Sequence, residues 1–211
     1  MVLKRIFDIT ASLLGILVLW PFGFIIALIV KLTSKGPALY FQKRVGRHGR
    51  SFTCVKFRTM YTGADKQDFI TAASDSRITP VGKFLRRFKL DELPQLWNVL
   101  AGKMSFVGPR PDVPGYADKL RGNDRRILEL RPGITGPATL FFRNEEELLE
   151  KVEDKQKYND EMIWPEKVRL NLEYLENYSF WKDIGYILIT ILPPLENILK
   201  LGEFTIKAQR K

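Results

Sequence analysis

The sequence predicts an α+β fold. It reads as a mainly helical single domain with a small β-hairpin, an N-terminal re-entrant membrane helix broken at Pro21, and interfacial amphipathic helices. Three observations point there: a long uncharged run near the amino terminus, two short strand-like runs around a glycine-containing turn, and helical periodicity beyond residue 80. At 211 residues the chain is long enough for one domain with its own core.

Ile9 to Val30 is a run of 22 residues without a charge. A straight helix of that length, rising about 1.5 Å per residue, would cross a hydrocarbon core of roughly 30 Å. A cleaved leader fits poorly, because the run is too long and no small-residue cleavage site follows it. A buried soluble helix also fits poorly, since apolar residues occupy every face. Pro21 lies near the middle, with Gly15 and Gly23 around it, and should bend or break the helix. Basic residues flank both ends: Lys4 and Arg5 before, Lys31, Lys35, Lys43 and Arg44 after. That symmetry gives a simple span no orientation but suits a segment returning to the side it entered, so the re-entrant form is preferred over a single span. The expected division is residues 1–35 for this element and its flanks and 36–211 for the rest.

Ala38–Arg44 and Ser51–Arg58 should pair as a hairpin around the basic turn Val45-Gly46-Arg47-His48-Gly49-Arg50. Residues 82–90 form a compact basic amphipathic stretch. Leu93, Leu96, Trp97 and Leu100 then mark one helix face, with Pro94 in the first turn and Asp91 at or near the N-cap. Met104–Asp112 and Arg131–Pro137 read as stiff, proline-punctuated loops presenting Arg110 and Arg131. Further on, Val168, Leu172 and Leu175 share a helix face. The short apolar run Ile184–Leu192, beside Tyr178, Phe180 and Trp181, suits an element lying in a membrane interface.

Charge narrows the functional classes. There are 34 Lys and Arg against 24 Asp and Glu, a net charge of +10, which implies an anionic partner such as nucleic acid, anionic lipid or a phosphorylated substrate. The single cysteine, Cys54, excludes an intrachain disulfide and reads as a core residue, and with His48 as the one histidine a Cys/His zinc site is excluded. What remains is the adjacent pair Asp91-Glu92. By itself such a pair is a helix cap, but here Arg86, Arg87 and Lys89 precede it and two arginine-bearing loops follow. A carboxylate attacking a diphosphate needs cations to cancel repulsion, and Mg²⁺ suits a site with few protein carboxylates and several phosphate oxygens.

With these residues assembled, the chain resembles the monotopic phosphoglycosyl transferases, the bacterial sugar transferase family. The matching motifs are Lys4-Arg5-Ile6-Phe7-Asp8 before a proline-containing apolar segment, and Lys56-Phe57-Arg58-Thr59-Met60. Leu90-Asp91-Glu92-Leu93-Pro94-Gln95-Leu96-Trp97-Asn98-Val99 follows, then Met104-Ser105-Phe106-Val107-Gly108-Pro109-Arg110-Pro111 and Arg131-Pro132-Gly133-Ile134-Thr135-Gly136. The resemblance implies transfer of a sugar phosphate from a nucleoside-diphosphate sugar, usually a UDP-sugar, to a polyprenol phosphate such as undecaprenyl phosphate, releasing UMP. It implies Asp91 as the nucleophile of a covalent aspartyl-phosphosugar intermediate, and Asp91 and Glu92 as ligands of Mg²⁺. Lys4 and Arg5 would meet phosphate, with Asp8 steadying Arg5; Arg58, Arg86, Arg110, Arg131 and Arg143 complete the expected substrate set. The implied partners are the lipid bilayer and the two substrates, not nucleic acid, and the implied location is the cytoplasmic face of a bacterial inner membrane. Trp20-Pro21 departs from the family's Ser-Pro, and Pro137–Asn144 departs from its Gly-Trp-Ala-Gln pattern, which leaves the sugar open. The rival reading is a non-enzymatic basic peripheral protein that binds anionic lipid or nucleic acid.

Overall fold

A computed structural model describes residues 1–64 and 75–195. The expected second unit, 36–211, therefore ends outside the described residues. In chain order the elements are α1 (Val2–Thr33), β1 (Leu39–Val45), β2 (Ser51–Phe57), α2 (Pro80–Arg87), α3 (Gln95–Leu100), β3 (Ser105–Val107) and β4 (Gly133–Thr135). There follow α4 (Pro137–Phe141), α5 (Glu145–Glu150), α6 (Lys155–Tyr158), α7 (Trp164–Glu176) and α8 (Phe180–Ile191). The expected α+β class, mainly helical with a small hairpin, is what forms.

α1 is helical throughout Val2–Thr33 with Pro21 inside it, so the chain is not broken into two helices there. The helix packs on the body on either side of the proline. A Cβ on Gly15 would sit 3.2 Å from Leu96, and one on Gly23 would sit 3.8 Å from Phe57. Lys4, Asp8, Ser12, Gly15, Leu19, Gly23, Ile26, Val30 and Ser34 form a wholly or partly buried stripe at helical spacing along the entire element. The opposite side, including Leu14, Leu17, Val18, Trp20, Phe24 and Leu28, is exposed. Only 6% of its most apolar 18-residue stretch is buried, which sets α1 apart from the core helix of a soluble protein. Among the described residues it is the one helix long and apolar enough to cross a membrane.

The hairpin forms as expected, antiparallel, with Tyr40 opposite Lys56, Gln42 opposite Cys54 and Arg44 opposite Phe52. Its turn places His48 at φ 59 and Gly49 at φ 75. Phe52 and Cys54 pack with Val99 and Met104, which confirms Cys54 as a core residue. Asn98 then docks α3 on the outer edge of β2. Its side-chain amide donates to the Thr53 carbonyl at 2.8 Å, and its side-chain oxygen accepts from the Val55 N–H at 3.0 Å. One asparagine thus stands in for a neighbouring strand on that edge.

The two proline-punctuated loops pair with each other. β3 and β4 are parallel, with Ser105 opposite Gly133 and Val107 opposite Thr135. The approach is so close that a Cβ on Gly108 would lie 2.2 Å from the Arg131 carbonyl oxygen, and one on Gly133 would lie 2.2 Å from the Gly108 nitrogen. This pairing holds the segments bearing Arg110 and Arg131 side by side.

Candidate active site

Asp91 does not cap a helix. Lys89, in the left-handed region at φ 55, turns the chain out of α2, and Leu90–Glu92 immediately forms a 3-10 turn with no side-chain cap. The helical course therefore starts before Asp91, and that carboxylate turns inward instead of closing the end of α3. The face expected from Leu93, Leu96, Trp97 and Leu100 is also rearranged. Trp97 is 59% exposed, while Gln95 and Asn98 are buried with Leu96 and Val99. The inner side of this segment is polar because it serves β2 and the carboxylates.

Asp91 and Glu92 are 7% and 6% exposed. Two cations converge on one oxygen of Glu92: Arg110 Nη2 donates to Glu92 Oε1 at 2.5 Å, and Lys56 Nζ donates to it at 3.2 Å. Burial alone would raise the Glu92 carboxyl, but Arg110 and Lys56 overcome it and hold that group well below the usual carboxylate range. Glu92 in return lifts the Arg110 guanidinium above its ordinary value, although 37% of the Arg110 side chain still meets solvent. Asp91 behaves differently. Burial pushes its carboxyl up; Lys56, Arg110 and Arg86 oppose that, and Glu92 adds to it. Its Oδ1 is buried and has no hydrogen-bond partner among the described residues. The pair is therefore unequal: Glu92 is locked as a paired anion, while Asp91 presents an unsatisfied oxygen, which is costly unless something occupies it.

Arg86 flanks this centre, donating from Nε to Thr59 Oγ1 at 3.0 Å and facing Glu146 at 3.5 Å. Lys56 lies in the strand motif that also holds Arg58, and sequence reasoning chose the arginine over it. The available signal was strand alternation, which sets Lys56 on the face shared with Cys54 and Phe52, toward α3 and the carboxylates.

The other expected site residues are placed elsewhere. Arg58 caps α1: its guanidinium donates to the carbonyls of Lys35 and Ser34 (2.9 Å for Ser34) and to the Ser34 hydroxyl at 3.0 Å. Arg5 caps α3, donating to the carbonyls of Val99 at 2.7 Å and Leu100 at 2.9 Å. Orphan carbonyls at a helix carboxyl end attract cations for both hydrogen-bonding and dipole reasons. Asp8 makes no ion pair with Arg5; it accepts from the Ser105 hydroxyl and the Phe106 N–H, both at 3.1 Å. Lys4 pairs with Asp183 at 2.5 Å and donates to the Tyr174 hydroxyl at 3.3 Å, tying α1 to α7 and α8. Arg131 donates to the Gly102 carbonyl at 3.1 Å, also at the carboxyl end of α3. Arg143 is exposed just after α4. Of the expected set, Arg110 and Arg86 are thus gathered at the carboxylates, while Lys4, Arg5, Asp8, Arg58 and Arg131 meet partners elsewhere.

Asp91 and Glu92 were the pair expected to bind magnesium. The unpartnered Asp91 oxygen fits a hard cation completed by oxygens of another molecule, whereas the Glu92 Oε1 is already taken by two cations. No group of three or more metal-ligating side chains occurs among the described residues, so those residues offer no all-protein cage.

Known proteins resemble this chain over most of its length. Residues 1–197 match the family described as "Bacterial sugar transferase". The chain is 38% identical over 196 residues to a UDP-glucose:undecaprenyl-phosphate glucose-1-phosphate transferase of Klebsiella pneumoniae, covering 90% of this chain and 40% of that protein. It is 36% identical over 205 residues to a galactosyl transferase of Streptococcus agalactiae, covering 90% of this chain and 42% of that protein. An uncharacterized sugar transferase of Bacillus subtilis is 34% identical over 196 residues, and here the match spans 90% of this chain and 86% of the relative. The chain thus spans about two fifths of the length of the first two relatives. Because the family match runs through all five motifs and nearly the whole chain, the chain belongs to the bacterial sugar transferase family.

Proposed function

We propose that the protein is a phosphoglycosyl transferase that moves a sugar 1-phosphate from a UDP-sugar to a polyprenol phosphate at a membrane surface. The observation that carries this reading is the inequality of the carboxylates: Glu92 is neutralised by Arg110 and Lys56, while Asp91 keeps a buried, unpartnered oxygen. The names of relatives supply the substrate classes. One acts on UDP-glucose and undecaprenyl phosphate and another is a galactosyl transferase, so the sugar is left open between such hexoses.

In the proposed reaction an Asp91 carboxylate oxygen attacks the phosphorus next to the sugar. The bond between that phosphorus and the bridging oxygen breaks, and UMP departs with the bridging oxygen and the electron pair. A phosphate oxygen of the polyprenol phosphate then attacks the same phosphorus and releases the Asp91 carboxylate, giving polyprenyl diphosphate sugar. No net proton transfer is required. Splitting one displacement into two is the usual advantage of a covalent nucleophile. Arg110 and Arg86 stand where the diphosphate would bring negative charge, and Lys56 with Arg110 fixes Glu92 beside the nucleophile. Magnesium, held through Asp91 and Glu92 together with substrate oxygens, would supply further neutralisation of the diphosphate.

Membrane placement follows from α1. Its two ends are tied to the same body, Lys4 to Asp183 at the start and Ser34 to Arg58 at the finish, and its buried stripe never leaves that body. This supports an element that enters one leaflet, bends at Pro21 without breaking into two helices and returns to the same side, with residues 36–211 on the cytoplasmic face of a bacterial inner membrane. Purified protein in detergent or nanodiscs should turn over, releasing UMP from a UDP-sugar beyond one equivalent per chain, only when polyprenol phosphate and magnesium are present. No release across a panel of UDP-hexoses, with lipid binding that fades at high salt, would favour the basic peripheral protein instead.

A further inference from the structure

Arg44 lies in the basic hairpin, near the end of β1, and is partly buried. Along β1, Tyr40, Gln42 and Arg44 are partly buried and alternate with exposed Phe41 and Lys43. The register opposes Tyr40 to Lys56 and Arg44 to Phe52, so this inner face of the hairpin carries Lys56 near one end and Arg44 near the other. Lys56 reaches Glu92 directly at 3.2 Å.

Arg44 acts one step removed. Its Nη1 donates to the Pro111 carbonyl at 3.0 Å, and Pro111 follows Arg110 in the chain. Its Nε and Nη2 both donate to Gln42 Oε1, at 3.0 and 2.5 Å, which fixes the plane of the guanidinium fork. The next residue reinforces the clamp, since the Val45 N–H donates to the Asp112 carbonyl at 2.9 Å. On the other flank the Gly133 N–H donates to the Pro109 carbonyl at 2.8 Å. The Pro109-Arg110-Pro111 turn is therefore gripped from both sides, and Arg110 leaves it to meet Glu92 Oε1 at 2.5 Å.

The geometry points to Arg44 as a positioning residue of the carboxylate site: it holds the Arg110 loop so that Arg110 and Lys56, both set by one hairpin face, converge on the same oxygen of Glu92. A lysine at this position keeps the charge but cannot bind Gln42 through two nitrogens and the Pro111 carbonyl through a third. A misplacement of about 1 Å at such a centre can cost about 10²-fold in rate.

This inference rests on the proposed transferase reading, and the experiment separates the two. A double-mutant cycle would combine Arg44→Lys with Arg110→Ala, reading UMP release from a UDP-sugar as kcat/KM together with the Tm of each variant. The expected result is a loss of about 10²-fold for Arg44→Lys in the wild-type background but less than about twofold when Arg110 is already gone. Equal losses in both backgrounds, tracking a lowered Tm, would overturn the proposal and leave Arg44 as a fold-stabilising residue only. A crystal structure of Arg44→Lys supplies an arm that needs no turnover. Separation of Arg110 from Glu92 supports the role even if no UDP-sugar is consumed, and an unchanged contact overturns it.

Discussion

The two ends of α3 are both surrounded by cations, and the cations do opposite things. At the carboxyl end, Arg5 and Arg131 donate to the carbonyls of Val99, Leu100 and Gly102. At the amino end, Arg110 and Lys56 meet a buried carboxylate beside a second one that keeps an oxygen free. The first group satisfies orphan backbone acceptors and orders the fold. The second concentrates charge in a poorly solvated place, where, on the proposed reading, an incoming phosphate would find Asp91 as nucleophile and cations as compensation. The lesson is that the acceptor, not the arginine, decides whether a site is structural or chemical.

The largest effect should come from Asp91. Asp91→Asn is nearly isosteric, removes the nucleophilic charge, and should lower UMP release by at least about 10³-fold with little change in Tm. Next comes Arg110→Ala, which leaves Glu92 with Lys56 alone and should cost about 10²–10³-fold in kcat/KM. A loss confined to KM would instead make Arg110 a plain binding residue.

The opposite end of α3 should respond in the opposite manner. Arg5→Ala removes two charge-assisted bonds to carbonyls and should cost about 1.5–3 kcal/mol of stability, or several degrees in Tm. Its KM for the UDP-sugar, measured well below the transition, should stay close to wild type. A selective rise in that KM would return Arg5 to the substrate set expected from its motif.

The smallest effect is a pH dependence at Asp112, behind Arg110. Burial pushes its carboxyl up to about 6, against Lys167, Arg44 and Arg110. Unfolded, such a group titrates at about 3.9. Between those values the folded chain binds more protons than the unfolded one, so this group's contribution to stability falls as pH rises from about 4 to about 6. Asp112→Asn should therefore gain Tm relative to wild type at pH 7.5, with the gain shrinking toward pH 4. A difference that does not vary with pH would contradict this.

Much of the architecture was legible because it is written in contiguous residues. The uncharged run of α1, the two halves of the hairpin and the adjacency of Asp91 and Glu92 need no tertiary information. What was not legible depends on partners far away in the chain. Arg5 finds Val99 across 94 residues, and Lys4 finds Asp183 across 179. The helix ends met by Arg5 and Arg58 cannot be read from the residues around them. The β3–β4 pair was missed because three-residue strands carry no periodicity, and only the glycines that permit the close approach hint at it. Lys56 was passed over because Arg58, two positions on, is the better phosphate ligand by type, yet Arg58 is spent on the end of α1. Pro21 read as a bend or break because its local cost is large, yet the helix continues on both sides of it.

The central claim, that Asp91 is the nucleophile and Glu92 its fixed companion, is tested most directly by intact-protein and peptide mass spectrometry after mixing with a UDP-sugar and magnesium but no polyprenol phosphate. The account predicts release of up to one UMP per chain, a mass gain of one sugar phosphate on the peptide containing Asp91, and its disappearance when polyprenol phosphate is added. An adduct on another residue, or UMP release that requires both substrates together with no adduct at any time, would contradict it.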